Sequence, residues 1–219
     1  GEERERCWRA LPMTPSIASA YPSEAMPNVI VLGGPNGAGK STIAPTLLRD
    51  TLAVDSFVNA DTIAQGLSGF EPSRSALLAG RIMLERLREL GSQRASFAFE
   101  STLASRTFAP WLRELRETGY RVHVMFLWLP TAAMAKVRVE QRVLAGGHSV
   151  PPEVVVRRHA RGLTNFLELY RPIADHWRVY DSSAAGAPRL IASGGCNEPT
   201  QVLDERTWDT IQQHDDPGT

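Results

Sequence analysis

Residues 28–42 read Asn28-Val29-Ile30-Val31-Leu32-Gly33-Gly34-Pro35-Asn36-Gly37-Ala38-Gly39-Lys40-Ser41-Thr42. An apolar run closed by glycine is the pattern of a strand buried on both faces. The eight residues from Gly34 to Ser41 then fit G-x-x-x-x-G-K-[ST]. Glycines let the backbone curl until successive N–H groups point inward and form an anion nest. A helix expected over residues 40–48 adds the positive end of its dipole. Strand, loop and helix together predict a nucleotide phosphate site. Gly34, Pro35, Asn36, Gly37, Ala38, Gly39, Lys40, Ser41 and Thr42 are its candidate residues for ATP or GTP. Lys40 is expected to reach the β- and γ-phosphates, and the Ser41 hydroxyl to hold Mg²⁺. The competing reading is a glycine-rich turn that binds nothing.

Outward from this loop, apolar runs and helical patterns alternate. Residues 57–60, 95–100, 121–129, 177–181 and 189–192 read as strands. Helices are expected from residue 62, over 73–90 with Gly91 as the stop, over 106–118 before Gly119, over 131–145 before Gly146-Gly147, and from Pro152 to about 170. Such alternation predicts an α/β fold of the P-loop NTPase kind, with a parallel sheet of about five to six strands and helices on both faces. Residues 26–195 are expected to form this domain. Residues 1–25 read as a flexible N-terminal extension that is neither a signal peptide nor a membrane span. Residues 196–219 read as an acidic tail with a short helix around 202–211.

The 219 residues carry 24 Lys or Arg and 24 Asp or Glu, a formal net charge of zero. That balance argues against a nucleic-acid binder driven by bulk charge. Two cysteines, Cys7 and Cys196, exclude a disulfide-rich scaffold and a four-cysteine zinc site. No run reaches the roughly 20 apolar residues of a membrane span. Cytoplasm is the expected compartment. Of the basic residues only Lys40 and Lys136 are lysine, so each is worth locating.

Motor and transporter ATPases carry an acid at the end of an apolar strand. The longest strand here ends Leu127-Trp128-Leu129-Pro130, without one, and an N-K-x-D base-reading motif is absent. The acids at strand ends are Asp61 and Glu100. Strand carboxyl ends face the ligand crevice in such sheets, so both should approach the phosphate loop. That suits a kinase for a small hydroxyl acceptor, with one carboxylate to take the proton and another to hold the acceptor. The competing readings are a helix N-cap for Asp61 and an ion pair with an arginine for Glu100. Thr102 either orients a substrate or caps the next turn, and Asn59 is expected to shape the turn at Asp61. Residues 136–178 hold eight bases (Lys136, Arg138, Arg142, Arg157, Arg158, Arg161, Arg171, Arg178) against four acids. Arg157, Arg158 and Arg161 fall on the polar arc of their helix, where guanidinium groups can bridge phosphates. Arg142 either joins them or neutralises a helix terminus. His148 reads as a loop hydrogen-bonder.

The run from Pro27 to Thr42 resembles the start of short zeta-toxin-like P-loop kinases. So do Asn59-Ala60-Asp61, Phe99-Glu100-Ser101-Thr102-Leu103, the stretch from Arg142 through Gly146-Gly147-His148 to Arg158, Arg161-Gly162-Leu163, Asn165-Phe166 and Tyr170-Arg171-Pro172. The resemblance spans about residues 26–195. It implies sheet order 2-3-1-4-5 and phosphoryl transfer from ATP or GTP to the sugar hydroxyl of UDP-N-acetylglucosamine. It further implies Asp61 as general base, Glu100 and Thr102 as acceptor-binding residues, and Arg142, Arg158 and Arg161 as phosphate clamps. An antitoxin protein is the partner it implies. The alternatives are a polynucleotide or other small-metabolite kinase, and a nucleotide-binding interaction protein without transfer activity.

Overall fold

Asn28–Gly33 forms strand β1, and its alternating side chains serve two cores at once. Val29 and Val31 enter one cluster with Phe97, Phe99, Val122 and Val124. Ile30 and Leu32 enter the other, with Ile43, Leu47, Met125 and Leu127. A strand that must satisfy both faces has no polar side to spare, which is why it reads as an unbroken apolar run. The structure, a computed structural model, describes residues 26–51, 54, 56–67, 75–147 and 149–213. The expected extension 1–25 and His148 lie outside the described residues.

After β1 come α1 (Lys40–Ala44), β2 (Ser56–Val58), α2 (Ala60–Leu67), α3 (Ala76–Ser92), β3 (Phe97–Ser101), α4 (Phe108–Glu117) and β4 (Arg121–Trp128). Then follow α5 (Ala132–Leu144), α6 (Pro152–Asn165), β5 (His176–Asp181), β6 (Arg189–Gly195), β7 (Glu198–Val202) and α7 (Glu205–Gln212). The sheet runs β2-β3-β1-β4-β5-β6-β7. The first five strands are parallel, as the alternation required, and β6 and β7 return antiparallel. The α/β fold is the one expected, but the sheet has seven strands rather than five or six.

The extra strand comes from the segment read as an acidic tail. Residues 198–202 pair with β6, and α7 packs Trp208 and Ile211 into the first core. Asp204 caps α7 by accepting from Thr207 N (3.1 Å) and Thr207 Oγ1 (2.8 Å). Trp208 stacks on Trp177 with centroids 5.5 Å apart, and the Arg171 guanidinium lies within 6 Å of both rings. Two buried side chains one helical turn apart outweigh the acidity of the exposed face.

Two helix ends also differ. Gly91 does not stop α3, which runs on to Ser92. Arg94 takes the left-handed position instead (φ 53°), with Ala95 N bonded to Leu90 O and Arg94 N to Gly91 O. This is a Schellman termination with arginine in the usual glycine place, and Arg94 Nη1 donates to Thr118 O at 2.8 Å. The helix expected over 40–48 ends at Ala44 and widens into a π-helical turn over Pro45–Thr51. Pro45 has no N–H to donate back one turn.

At the opposite end of the strands from the phosphate loop, His123 is 2% exposed. It contacts Asn28 Oδ1 at 3.0 Å and stacks on His176. Burial, then the neighbouring His176, holds its pKa down from 6.5 to about 3. The folded state therefore binds fewer protons than the unfolded chain below about pH 6.5, and stability is lost as pH falls toward 3. Urea denaturation should show about 2 kcal/mol less stability at roughly pH 5 than at roughly pH 7 from this group. His123→Leu should remove that much of the slope. An unchanged slope in the variant would contradict a buried neutral imidazole.

Candidate active site

Backbone geometry fixes the phosphate loop first. Gly34 has φ +135°, and a Cβ there would stand 2.4 Å from Leu127 O. Gly39 has φ +85° and leads directly into α1. Neither position admits a side chain without strain. Ser182, just beyond β5, donates its Oγ to Ala38 O (2.7 Å). Arg138 of α5 donates to Ser182 O and Ser183 O, both at 2.6 Å. The loop is thus tied across the sheet to the strand end on its far side.

Lys40 is 5% exposed and donates its Nζ to Gly34 O (2.8 Å) and Pro35 O (2.9 Å). Its Nζ is 3.6 Å from Glu100 Oε1. Burial pulls its pKa below the ordinary lysine value, while the carboxylates of Glu100 and Asp61 push back.

Glu100 arrives by strand register. It pairs with Leu32, so its carboxylate stands beside the loop that begins at Gly34. Ser41 Oγ donates to Glu100 Oε2 at 2.7 Å. Asn59 Nδ2 donates to the same oxygen at 2.8 Å. Asn59 Oδ1 accepts from Asp61 N (2.7 Å) and Thr62 N (3.4 Å). The cap of α2 is therefore Asn59, and Asp61 is not spent on capping. The Asp61 carboxylate is half-exposed, with Oδ2 3.9 Å from Arg142 Nη1.

Thr102 is brought in by a tight turn after β3. Leu103 is fully buried with a left-handed φ of 58°. Ser101 Oγ accepts from Leu103 N (3.0 Å), and Asn165 Nδ2 donates to Leu103 O (2.8 Å). Gly162 lets α6 lie on this turn, since a Cβ there would stand 2.4 Å from Thr102 O. The side chain of Leu103 packs in turn on Gly33, at the end of β1.

These parts line one cleft of about 670 Å³. Its floor is the phosphate loop. Asp61, Glu100, Thr102, Arg142 and Arg158 converge on it, and α3 forms an outer wall. Burial lowers the pKa of Arg158, Asp61 raises it, and Arg157 lowers it further. Arg161 is exposed and lies outside the residues lining the cleft. Three residues on, Arg161 stands on the same side of α6 as Arg158 but about 4.5 Å further along the axis, so axial position rather than helix face separates the two.

Among the cleft's other lining residues are Arg138, which the sequence marked only as one base of the 136–178 segment, and Gly80 and Arg81 of α3, while Ser182 supports the loop from outside. Arg138 lies one turn before Arg142 on α5, a spacing that could have revealed it. Arg81 and Gly80 lie off the core-facing stripe of α3. Ser182 sits beyond the carboxyl end of β5, where ligand-facing residues gather. Among the described residues no group of three or more His, Cys, Asp or Glu could hold a metal. A Mg²⁺ bound through phosphate oxygens does not need one, because it keeps waters and takes one or two protein oxygens. Ser41 Oγ and Glu100 Oε2 are such hard donors, side by side, and fit it. Another cleft, of about 740 Å³, opens at the amino ends of the strands around the Arg116–Asp175 ion pair, remote from the loop.

A family model described as an AAA domain matches residues 29–166. An uncharacterised protein of Haemophilus influenzae is 28% identical over 126 residues, which are 58% of this chain and 88% of that protein. The crystal structure of AvrRxo1-ORF1:-ORF2 with ATP has a TM-score of 0.71 at 21% identity, covering 100% of this chain and 72% of that one. The PezAT chromosomal toxin–antitoxin system of Streptococcus pneumoniae gives 0.60 at 17%, covering 97% of this chain and 85% of that one. At these identities the likeness is one of fold, and at that level the expected zeta-toxin-like P-loop architecture is the one observed. Among the described residues no helix is long and apolar enough to cross a membrane.

Proposed function

The chain belongs to the AAA-domain family, and from that premise we propose that it is a Mg²⁺-dependent P-loop phosphotransferase. It moves the γ-phosphoryl group of ATP or GTP to a hydroxyl of a small molecule. The observation that carries this reading is the pairing of sites across one cleft. A phosphate loop with Lys40 and Ser41 faces Asp61, whose carboxylate is not spent on the α2 cap and lies beside Arg142. Nucleotide binding alone calls for no such carboxylate beside a polyphosphate.

The chemistry follows from the residues. Backbone N–H groups of residues 36–41 cradle the β-phosphate, and Lys40 neutralises charge on the transferring group. Ser41 and Glu100 would hold Mg²⁺, which when bound would supply further charge neutralisation beside the phosphates. Asp61 accepts the proton of the attacking hydroxyl. Arg142 and Arg158 stabilise the charge that spreads over the phosphoryl oxygens as it moves. Glu100 is assigned here to the metal, because its Oε2 is already bonded to Ser41 and Asn59. That leaves Thr102 and the α3 wall for the acceptor.

The zeta-toxin resemblance supports UDP-N-acetylglucosamine as the first acceptor to test. A partner of antitoxin type belongs to the proposal, since the PezAT neighbour is a toxin–antitoxin system. The deciding experiment is mass spectrometry of products after incubation with ATP and Mg²⁺. The acceptors are UDP-N-acetylglucosamine, other nucleotide sugars, simple sugar alcohols, and RNA or DNA with free 5′-hydroxyls. One added phosphoryl group on a small-molecule acceptor is expected. Product on nucleic-acid ends alone, or ATP binding without product on any acceptor, would overturn the reading.

A further inference from the structure

Ser182 is buried, and its hydroxyl donates to one backbone atom of the phosphate loop, Ala38 O, itself on a fully buried residue. The peptide joining Ala38 to Gly39 is planar and trans, so its C=O and its N–H point opposite ways. A hydroxyl that holds the Ala38 carbonyl on the β5 side therefore turns the Gly39 N–H to the other side, where Gly39 lines the cleft. The peptides before and after this one are held from within the loop and its helix. Ala38 N donates to Pro35 O (3.2 Å), and Gly39 O accepts from Thr42 N and Ile43 N (both 3.1 Å). The peptide between them is held by Ser182. It needs a hold, because glycine takes positive and negative φ with nearly equal ease and Gly39 sits at +85°. Rotation of this one peptide would bring its carbonyl to face the phosphate. The anion nest would then offer a partial negative charge in place of a donor. Ser182 is fixed in its turn. Its N–H donates to Trp128 O (3.0 Å), and Ser183 N donates to Asp181 Oδ1 (2.8 Å). The planar fork of Arg138 donates to both carbonyls, Ser182 O and Ser183 O. Arg138 also backs the loop directly, since a Cβ on Gly37 would stand 3.0 Å from Arg138 Cβ.

We propose that Ser182 and Arg138 are positioning residues for the donor's β-phosphate: Ser182 aims the Gly39 N–H into the loop, and Arg138 holds Ser182 where it can do so. The site then favours nucleoside di- and triphosphates over monophosphates through a hydroxyl that touches none of them. This inference rests on the phosphate-loop half of the proposed function, is independent of the acceptor, and deepens that reading by stating what keeps the loop in its binding shape.

The test measures binding apart from turnover, with ADP and AMP each displacing a fluorescent ATP analogue from the full chain. The two probes share base and sugar and differ in the β-phosphate, so their affinity ratio reads the loop's grip on that group. Ser182→Ala should lower the ADP-over-AMP ratio by roughly 3- to 10-fold, the scale of one net hydrogen bond, with AMP affinity unchanged. Arg138→Gln should lower the same ratio. The double variant should lose no more than about the larger single effect, because the two side chains act in one chain of contacts. A merely loosened fold would weaken ADP and AMP alike. An unchanged ratio in Ser182→Ala, an equal loss for both probes, or additive losses in the double variant would overturn the inference. A wild type that binds ADP no more tightly than AMP would discard the phosphate-loop reading and this inference together. A ratio that falls as expected, without phosphorylated product from any acceptor, would retain the inference and discard the kinase reading.

Discussion

Asp61→Asn should reduce phosphoryl transfer by roughly 10²- to 10⁴-fold, the range for loss of a general base, and leave nucleotide affinity within about twofold of the wild type. The split follows from where Asp61 sits. Its backbone N–H is held by Asn59 Oδ1, so α2 keeps its cap whatever the side chain. Its carboxylate stands 3.9 Å from Arg142 Nη1, on the acceptor side of the phosphate loop. Asparagine keeps the shape and the amide oxygen but cannot accept a proton at neutral pH. Arg142 and Arg158 lose a neighbouring negative charge, which should strengthen rather than weaken their hold on phosphate. Single-turnover transfer measured beside equilibrium binding of a fluorescent ATP analogue reads both quantities. Wild-type transfer by the variant would remove Asp61 from the chemistry. Loss of binding in step with transfer would make it structural.

Lys40→Met should cost at least about 10²-fold in kcat/KM, the scale for removing one fixed charge from the developing transition state. Methionine matches the length and apolar stem of lysine and removes only the ammonium. Its loss leaves Gly34 O and Pro35 O without their donor and Glu100 without its cation. Against that stands relief of the burial that already pulls Lys40 below the usual lysine pKa. These oppose each other, so the thermal midpoint should shift little while activity collapses. Lys40→Arg should not restore it, because a planar guanidinium cannot occupy the space of a compact ammonium held by two carbonyls. Turnover by Lys40→Met near that of the wild type would refute the phosphate-loop role, and so would full rescue by arginine.

The parts legible in the sequence are those in which one local signal had one structural cause. The apolar run at residues 28–33 could only be a doubly buried strand, and the loop that follows carries its glycines where φ turns positive. Asp61 and Glu100 were legible as strand-end acids because parallel strands deliver their carboxyl ends to one edge. Their partners were not, since Glu100 meets Ser41 across 59 residues and Arg138 meets Ser182 across 44. No local pattern encodes a contact set by the order of strands in a sheet. The segment after residue 196 is legible in one part: the short helix expected around 202–211 is α7, but strand β7 carries no pattern, because all five of its side chains are exposed and only its backbone pairing with β6 defines it. Arg94 shows a third limit, where an arginine adopts the conformation that sequence rules assign to glycine.

The buried turn at Leu103 bears on how such a cleft can close. Its side chain rests on Gly33 and its carbonyl is bonded by Asn165, so the acceptor-side turn and the end of β1 form one stiff block. Donor and acceptor would then lie on the same anvil, with no hinge between them to bring them together. Motion that squeezes water from the reaction has to be made by what hangs over the block: α2 and α3 on one flank, and the amino-terminal part of α6 on the other. Arg158 rides on α6, so a clamp would be carried in by closure, while Asp61, whose N–H is held by Asn59 and through it by Glu100, waits in place with Lys40 and Ser41. An open cleft would bind its nucleotide yet be poorly equipped to spend it on water.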